Sequence, residues 1–130
     1  MTTVSGERRF AAPPGRVFHL LTDPGVIAGA MPAIRGHKVL DADHWEAKVK
    51  PPLPLVPALT IRFEVIERHE PTHAGLHAHG GGMDVTSRFD LVEDGDGTLM
   101  RWETTLSLSG LDGVARHQAD RTLDAVERAL

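Results

Sequence analysis

The chain changes the period of its hydrophobic pattern once, and this change restricts the folds that it can adopt. From about residue 45 to residue 109, apolar and polar side chains alternate with a period of two. Such segments have one apolar and one polar face, which is typical of an antiparallel sheet covered on one side only. From residue 111 to residue 130 the period is helical, so one long amphipathic helix is predicted to cover the apolar face.

The start of the chain predicts one strand and two short helices ahead of this alternating region. Residues 4–10 fit a strand, and residues 11–21 fit a helix with proline near its start, where a missing N–H costs nothing. Asp23 is a suitable N-cap for a second helix, which Pro32 then ends. The prediction is an α+β fold in which a curved antiparallel sheet of six to seven strands wraps around a long C-terminal helix.

Composition and charge narrow the class of protein. With 130 residues the chain is long enough for one domain, which we expect to span residues 1–130. It has no cysteine, which excludes disulfides and thiolate metal sites, and its net charge of −4 without a basic block offers nothing to a nucleic acid. Without a signal-peptide pattern or a membrane-spanning apolar run, a cytoplasmic protein is expected. The sequence leaves open whether it is a monomer or a dimer.

Several short stretches carry a resemblance to a known family. They are residues 5–7, 12–13, 21–24, 26–27, 31–32 and 121–126. Together with the predicted order of elements, they resemble the START-like (SRPBCC, helix-grip) superfamily and, within it, the carbon monoxide dehydrogenase G-subunit family. The chain departs from that family at Ala33, where a glycine is usual, and in the proline-rich run 51–57, which replaces a glycine-rich loop.

This resemblance implies a cavity between the sheet and the long helix that holds a small apolar molecule. Proteins of the G-subunit family are associated with a molybdenum hydroxylase, as quinone carriers or in enzyme maturation, so such a hydroxylase is the implied protein partner. No cofactor is expected. The superfamily also contains lipid carriers and aromatase/cyclase enzymes, so a cyclase-like activity remains an alternative.

The residues themselves give a second reason to expect a cavity. The long helix presents small side chains inward at Ala115, Ala119, Thr122 and Ala129, opposite large side chains of the sheet. Small residues facing a concave sheet leave space, although the large side chains can also fill it. The residues predicted to line the cavity are Met31, Trp45, Phe63, Met83, Val85, Phe89, Trp102, Thr104, Gln118 and Thr122.

Arg8 is the charged residue predicted to point inward, because it shares a strand face with Val4, Gly6 and Phe10. One interpretation is that its guanidinium anchors an oxygen atom of a ligand. The favoured interpretation is that the long side chain reaches out past the edge of the sheet, because a buried arginine needs an acidic or carbonyl partner.

His77 and His79 stand one residue apart, just before three glycines. If residue i pairs with residue 163 − i across a tight glycine turn, His79 faces Asp84 and both histidines lie on the outer, polar face. In a chain with eight histidines we favour a simple cross-strand contact and expect no metal. The alternative is a metal site formed by His77, His79 and Asp84, since two imidazoles and a carboxylate can bind zinc.

Catalytic motifs are missing from the sequence. There is no Gly-x-Ser-x-Gly motif, and the predicted inner faces offer Arg8, Gln118 and hydroxyl groups but no carboxylate pair. This favours binding over catalysis, and no catalytic residue is predicted.

The leading hypothesis is a carrier or accessory protein for a small apolar or aromatic, quinone-like molecule. The alternatives are a polyketide cyclase-like or hydrolase-like enzyme that uses the same cavity, and a partner-binding accessory protein with a filled core.

Overall fold

A computed structural model describes residues 1–30, 34–50, 55 and 57–130 of the chain. The strands are β1 (Thr2–Phe10), β2 (Ile34–Val39), β3 (His44–Val49), β4 (Leu59–His69), β5 (His73–Gly80), β6 (Met83–Asp94) and β7 (Gly97–Leu106). The helices are α1 (Pro14–Leu21), α2 (Pro24–Gly29) and α3 (Asp112–Ala129). The strands form one seven-stranded antiparallel sheet in the order β1-β7-β6-β5-β4-β3-β2, which confirms the predicted fold class.

The two short helices begin where local chemistry favours a helix start. In α2, Asp23 accepts a hydrogen bond from the Gly25 N–H at 2.8 Å, and Pro24 occupies the first helical position. Helix α1 begins at Pro14, three residues later than predicted. The predicted helix end at Pro32 and the departure at Ala33 lie outside the described residues, as does most of the proline-rich run 51–57.

The hairpin between β5 and β6 has the predicted register. Gly80 pairs with Met83 and His79 pairs with Asp84, so the turn consists of two glycines. Gly81 and Gly82 have φ angles of 60° and 80°, a region that glycine enters without steric cost. The glycines therefore fix the register, and the register decides which side chains of both strands face α3.

Strand β4 contains one irregularity that the alternating pattern did not predict. Val65 pairs with Leu76 and Glu67 pairs with Gly75, so Ile66 is an extra residue in β4, a β-bulge. The bulge moves Glu67 to the outer face, over Gly75, and leaves Ile66 40% exposed.

Helix α3 covers the inner face of the sheet and packs on β1 and α2. On the face of α3 that meets the sheet, its residues Ala115, Leu123 and Val126 are buried. The predicted inward position of Ala129 is wrong, because Ala129 is exposed at the end of α3, where Arg16 donates to its carbonyl oxygen. Leu108 follows the end of β7 at Leu106 and is exposed.

The described core consists of two clusters of buried side chains. The larger one joins α1 and α3 to β1, β5, β6 and β7, and it includes Phe89, Trp102 and Leu123. The smaller one joins α2 to β3 and is built from Ile27, Ala28, Trp45 and Ala47, with Phe63 packed against it. Helix α3 contributes to the larger cluster, so the inner face of the sheet is packed as two separate clusters and not as one.

Candidate functional site

A cavity of about 390 Å³ lies between the sheet and α3, and residues of both core clusters line it. The sheet contributes Leu59, Ile61, Phe63, Leu76, Ala78, His79, Gly80, Gly81, Met83, Val85, Ser87, Phe89, Trp102, Thr104 and Leu106. The helices contribute Ile27, Val114, Ala115, Gln118, Ala119, Thr122 and Leu123. A volume of this size lies within the range of pockets that hold small molecules, roughly 300–1,000 Å³.

The cavity exists because the middle of α3 carries short side chains. Ala115, Ala119 and Thr122 line it from above, as predicted, while Phe89 and Trp102 line it from the sheet. The alanine side chains end at Cβ, so they cannot reach the large residues across the curved sheet.

The mouth is marked by lining residues that are also exposed. Val114, in the first turn of α3, is 61% exposed, and Gly81 in the β5–β6 turn is exposed as well. Both border the cavity, so it opens between the start of α3 and the β5–β6 turn. The turn carries no side chain at Gly81 or Gly82.

Besides His79 at the rim, four polar side chains of the described residues line the cavity, and they form two pairs. Ser87 Oγ and Thr104 Oγ1 are 2.9 Å apart and share a hydrogen bond across β6 and β7. On α3, Thr122 Oγ1 donates to the Gln118 carbonyl at 3.0 Å, and Gln118 Nε2 donates to Thr122 Oγ1 at 3.4 Å. Two hydroxyls that share one hydrogen bond retain a second O–H, which can donate to a ligand oxygen.

Eight of the ten residues predicted to line the cavity do so: Phe63, Met83, Val85, Phe89, Trp102, Thr104, Gln118 and Thr122. Trp45 does not, because its indole stacks on Phe63 with 3.8 Å between ring centroids and belongs to the smaller core cluster. Met31 lies outside the described residues.

Several lining residues were not predicted, and β5 supplies the clearest examples. Leu76 and Ala78 line the cavity because the hairpin register places them opposite Ser87 and Val85, which face inward. The predicted register already places both residues on the inner face, although they were not among the predicted lining residues. Ile27 of α2 could not be found in this way, because its position depends on how α2 packs on the sheet.

Arg8 lies outside the cavity and pairs with α3 instead of with a ligand. Its guanidinium is 2.8 Å from Asp124 Oδ1 and 3.3 Å from Glu127 Oε1, and 22% of its side chain is exposed. The side chain therefore lies on the α3 side of β1, as its strand face predicted, and its acidic partners belong to α3.

The described titratable groups with shifted pKa values lie on or beside the outer face of the sheet, away from the cavity. His73 is 3.0 Å from Glu67 Oε1 through Nε2 and 2.7 Å from Asp90 Oδ1 through Nδ1, and these hydrogen bonds raise the pKa of His73. The hydrogen bond with His73 also lowers the pKa of Glu67, with a further contribution from Arg88. Likewise, Asp41 raises the pKa of His44 through a hydrogen bond.

His77, His79 and Asp84 come together on the outer face, as the register predicted. The two imidazoles stack with 5.3 Å between their centroids. The register pairs His79 with Asp84, but the hydrogen-bond distance of 3.0 Å joins Asp84 Oδ1 to His77 Nε2, diagonally across the two strands. His79 borders the cavity at its rim, while its side chain is exposed outside.

Within the described residues, no helix has both the length and the apolar character needed to cross a bilayer. The cytoplasmic location stays a prediction.

Comparison with known families gives one match over the full chain. The family described as "Polyketide cyclase / dehydrase and lipid transport" matches residues 1–130. Among curated proteins, none matches the chain significantly.

Solved structures confirm the fold. A conserved protein from Geobacillus kaustophilus has a TM-score of 0.83 at 16% identity, with 98% of this chain and 94% of that chain covered. A START superfamily protein from Mycobacterium smegmatis has a TM-score of 0.67 at 18% identity, covering 98% and 92%. A protein from Rhizobium loti has a TM-score of 0.72 at 19% identity, covering 99% and 96%. The family match over residues 1–130 confirms the predicted superfamily, whereas the finer resemblance to the carbon monoxide dehydrogenase G-subunit family stays a prediction.

Proposed function

The chain belongs to the polyketide cyclase / dehydrase and lipid transport family, and on this premise we propose that it binds a small apolar or aromatic molecule as a carrier or accessory protein. The observation that carries the proposal is the apolar cavity of about 390 Å³ between sheet and α3. Its volume suits a ligand of one or two rings, and burial of apolar ligand surface supplies the binding energy.

The lining favours a neutral ligand. Among the described lining residues there is no carboxylate, lysine or arginine, and the side chain of His79 is exposed outside. An ionised group buried in such a site would lose its hydration without gaining a partner. The Ser87–Thr104 pair and Gln118 can instead serve a carbonyl or hydroxyl oxygen.

A quinone-like molecule combines these properties, because it has a flat apolar ring and neutral carbonyl oxygens. The rings of Phe63, Phe89 and Trp102 line the cavity and can pack on such a ligand. The resemblance to the carbon monoxide dehydrogenase G-subunit family supports the same ligand class and adds a molybdenum hydroxylase as the protein partner.

Size-exclusion chromatography of the protein mixed with a purified hydroxylase of that type tests whether the two form a complex. Co-elution of the two proteins would support this partner.

The two alternatives have less support. A cyclase-like or hydrolase-like reaction needs an acid or base that faces the substrate, and the described lining residues provide no inward titratable side chain. An accessory protein with a filled core would not contain a cavity of this volume.

Two experiments test the ligand. Native mass spectrometry of the freshly purified, untagged protein should show an organic adduct that is released on denaturation, and its mass identifies the ligand.

In a second experiment, the neutral quinone menadione should quench the tryptophan fluorescence, and the quenching should saturate as the site fills. Naphthoate, which is of similar size but ionised, should bind at least about tenfold more weakly. Equal binding of the two compounds, or no saturation with menadione, would contradict a neutral ligand.

A further inference from the structure

We propose that His77, His79 and Asp84 form a binding site for a divalent transition-metal ion on the outer face of the sheet. Each side chain offers one ligand atom, and these atoms all lie within 4.8 Å of one another. Two imidazoles and a carboxylate are a ligand set that zinc accepts, with a fourth position left to water. The imidazoles favour zinc-like ions over magnesium or calcium, which prefer oxygen ligands alone.

The spacing of the ligand atoms is close to what one ion requires. Ligand bonds of about 2.1 Å place two atoms of a tetrahedral zinc site about 3.4 Å apart. His77 Nε2 and Asp84 Oδ1 are already 3.0 Å apart. His79 is exposed and stacks on His77, so rotation about its side-chain bonds can bring its ring nitrogen to the ion without moving the backbone.

The backbone beneath the three residues is fixed by hydrogen bonds. His79 pairs with Asp84, and Gly81 and Gly82 close the turn between them. On the other side, the Asp84 N–H donates to Ser107 Oγ at 3.0 Å, and the Ser107 N–H donates to the Asp84 carbonyl at 2.9 Å. Binding therefore orders side chains alone, which keeps its entropic cost small.

Charges on β4 act on the site in opposite directions. Glu64 is the register partner of His77 on β4 and adds a negative charge to this face, although its carboxylate is 3.3 Å from His44 Nε2. Arg62 pairs with His79 and opposes a cation, but it is exposed, so solvent screens its charge. Asp84, which lies 3.0 Å from His77 Nε2, therefore supplies the charge that attracts the cation.

The site is independent of the ligand proposed for the cavity. His77 and His79 project from the outer face of β5, whereas Leu76 and Ala78 project from the inner face into the cavity. A failure of either proposal therefore leaves the other standing.

The test is a titration of the untagged protein, freed of metal with a chelator, with zinc chloride at neutral pH by isothermal calorimetry. We expect saturation at one zinc ion per chain. His77→Ala and His79→Ala should each weaken binding by at least about tenfold, since even indirect loss of ligand support costs 10–100-fold. His117→Ala, which removes an exposed histidine of α3, should bind like the wild type.

Two results would overturn the proposal. The first is a wild-type titration that does not saturate. The second is a His77→Ala/His79→Ala protein that binds zinc as tightly as the wild type. Asp84→Asn, which keeps the size of the side chain, provides the same comparison if a histidine variant fails to fold, as judged by circular dichroism.

Discussion

Gly6 and Trp102 face each other across β1 and β7, and the glycine provides the space in which the indole lies. A Cβ atom at position 6 would lie 2.8 Å from Trp102 Cζ2. The indole has little freedom to move away, because it is only 6% exposed and the Arg116 guanidinium lies 5.9 Å from its ring centroid. Trp102 also lines the cavity, so Gly6 determines part of the shape of the ligand site from a neighbouring strand.

Gly6→Ala should therefore destabilise the fold by about 1–3 kcal/mol, the usual effect of overpacking. Urea unfolding followed by tryptophan fluorescence measures this difference. Gly113→Ala is the matched control, because a Cβ atom there meets nothing within 4 Å and alanine favours a helix. A Gly6→Ala protein as stable as the Gly113→Ala protein would show that Trp102 does not depend on this space.

His73 is held by two carboxylates, and Gly75 beside it leaves room for Glu67. Because hydrogen bonds raise the pKa of His73 above its ordinary value of 6.5, the protonated imidazole favours the folded state. This contribution is complete below pH 6.5 and is lost as the pH rises through the raised pKa.

His73→Asn should thus lower the free energy of unfolding more at about pH 5.5 than at about pH 9. Urea unfolding of both proteins at the two pH values gives the difference, and His117→Asn on the exposed face of α3 serves as control. The same loss at both pH values would contradict the assignment of the raised pKa to His73.

At the scale of elements, α3 is tied to β1 by charged side chains at both ends. Arg116 donates to the Ser5 carbonyl at 3.3 Å near the start of α3, and Arg8 pairs with Asp124 and Glu127 near its end. Both attachments lie outside the cavity. They hold the helix over the sheet while its middle, at Ala115 and Ala119, does not fill the space beneath it.

Arg8→Gln should reduce stability by no more than about 1 kcal/mol, because the acidic partners are half exposed and solvent screens the ion pairs. Menadione affinity should stay unchanged, since Arg8 does not line the cavity. A large loss of affinity at unchanged stability would restore the interpretation of Arg8 as a ligand anchor.

The sequence predicted the order of the elements and the register of the β5–β6 hairpin, because alternation and glycines act locally. It did not predict the bulge at Ile66. A single extra residue shifts the alternation of β4, but no residue type in this stretch marks the position of the shift. It also assigned Trp45 to the cavity, because the pattern shows which face a residue occupies but not which neighbour covers it. Phe63, on the next strand, stacks on Trp45.

For the whole molecule, the central feature is a core divided into two clusters with a cavity that both of them line. A fold selected for stability alone would tend to fill this space, since unfilled volume costs packing energy. The short side chains of α3 could be enlarged to fill it. Ala119 is such a position, and Ala129 is an exposed alanine on the same helix.

The most direct test of this account compares Ala119→Phe with Ala129→Phe in titrations with the neutral dye N-phenylnaphthylamine, whose fluorescence rises in an apolar site. The wild type and Ala129→Phe should bind one dye molecule, and Ala119→Phe should bind at least about tenfold more weakly while remaining at least as stable, as cavity-filling substitutions often are. Tight, saturable binding that Ala119→Phe leaves intact would contradict the account, because it would place the ligand outside the cavity beneath α3.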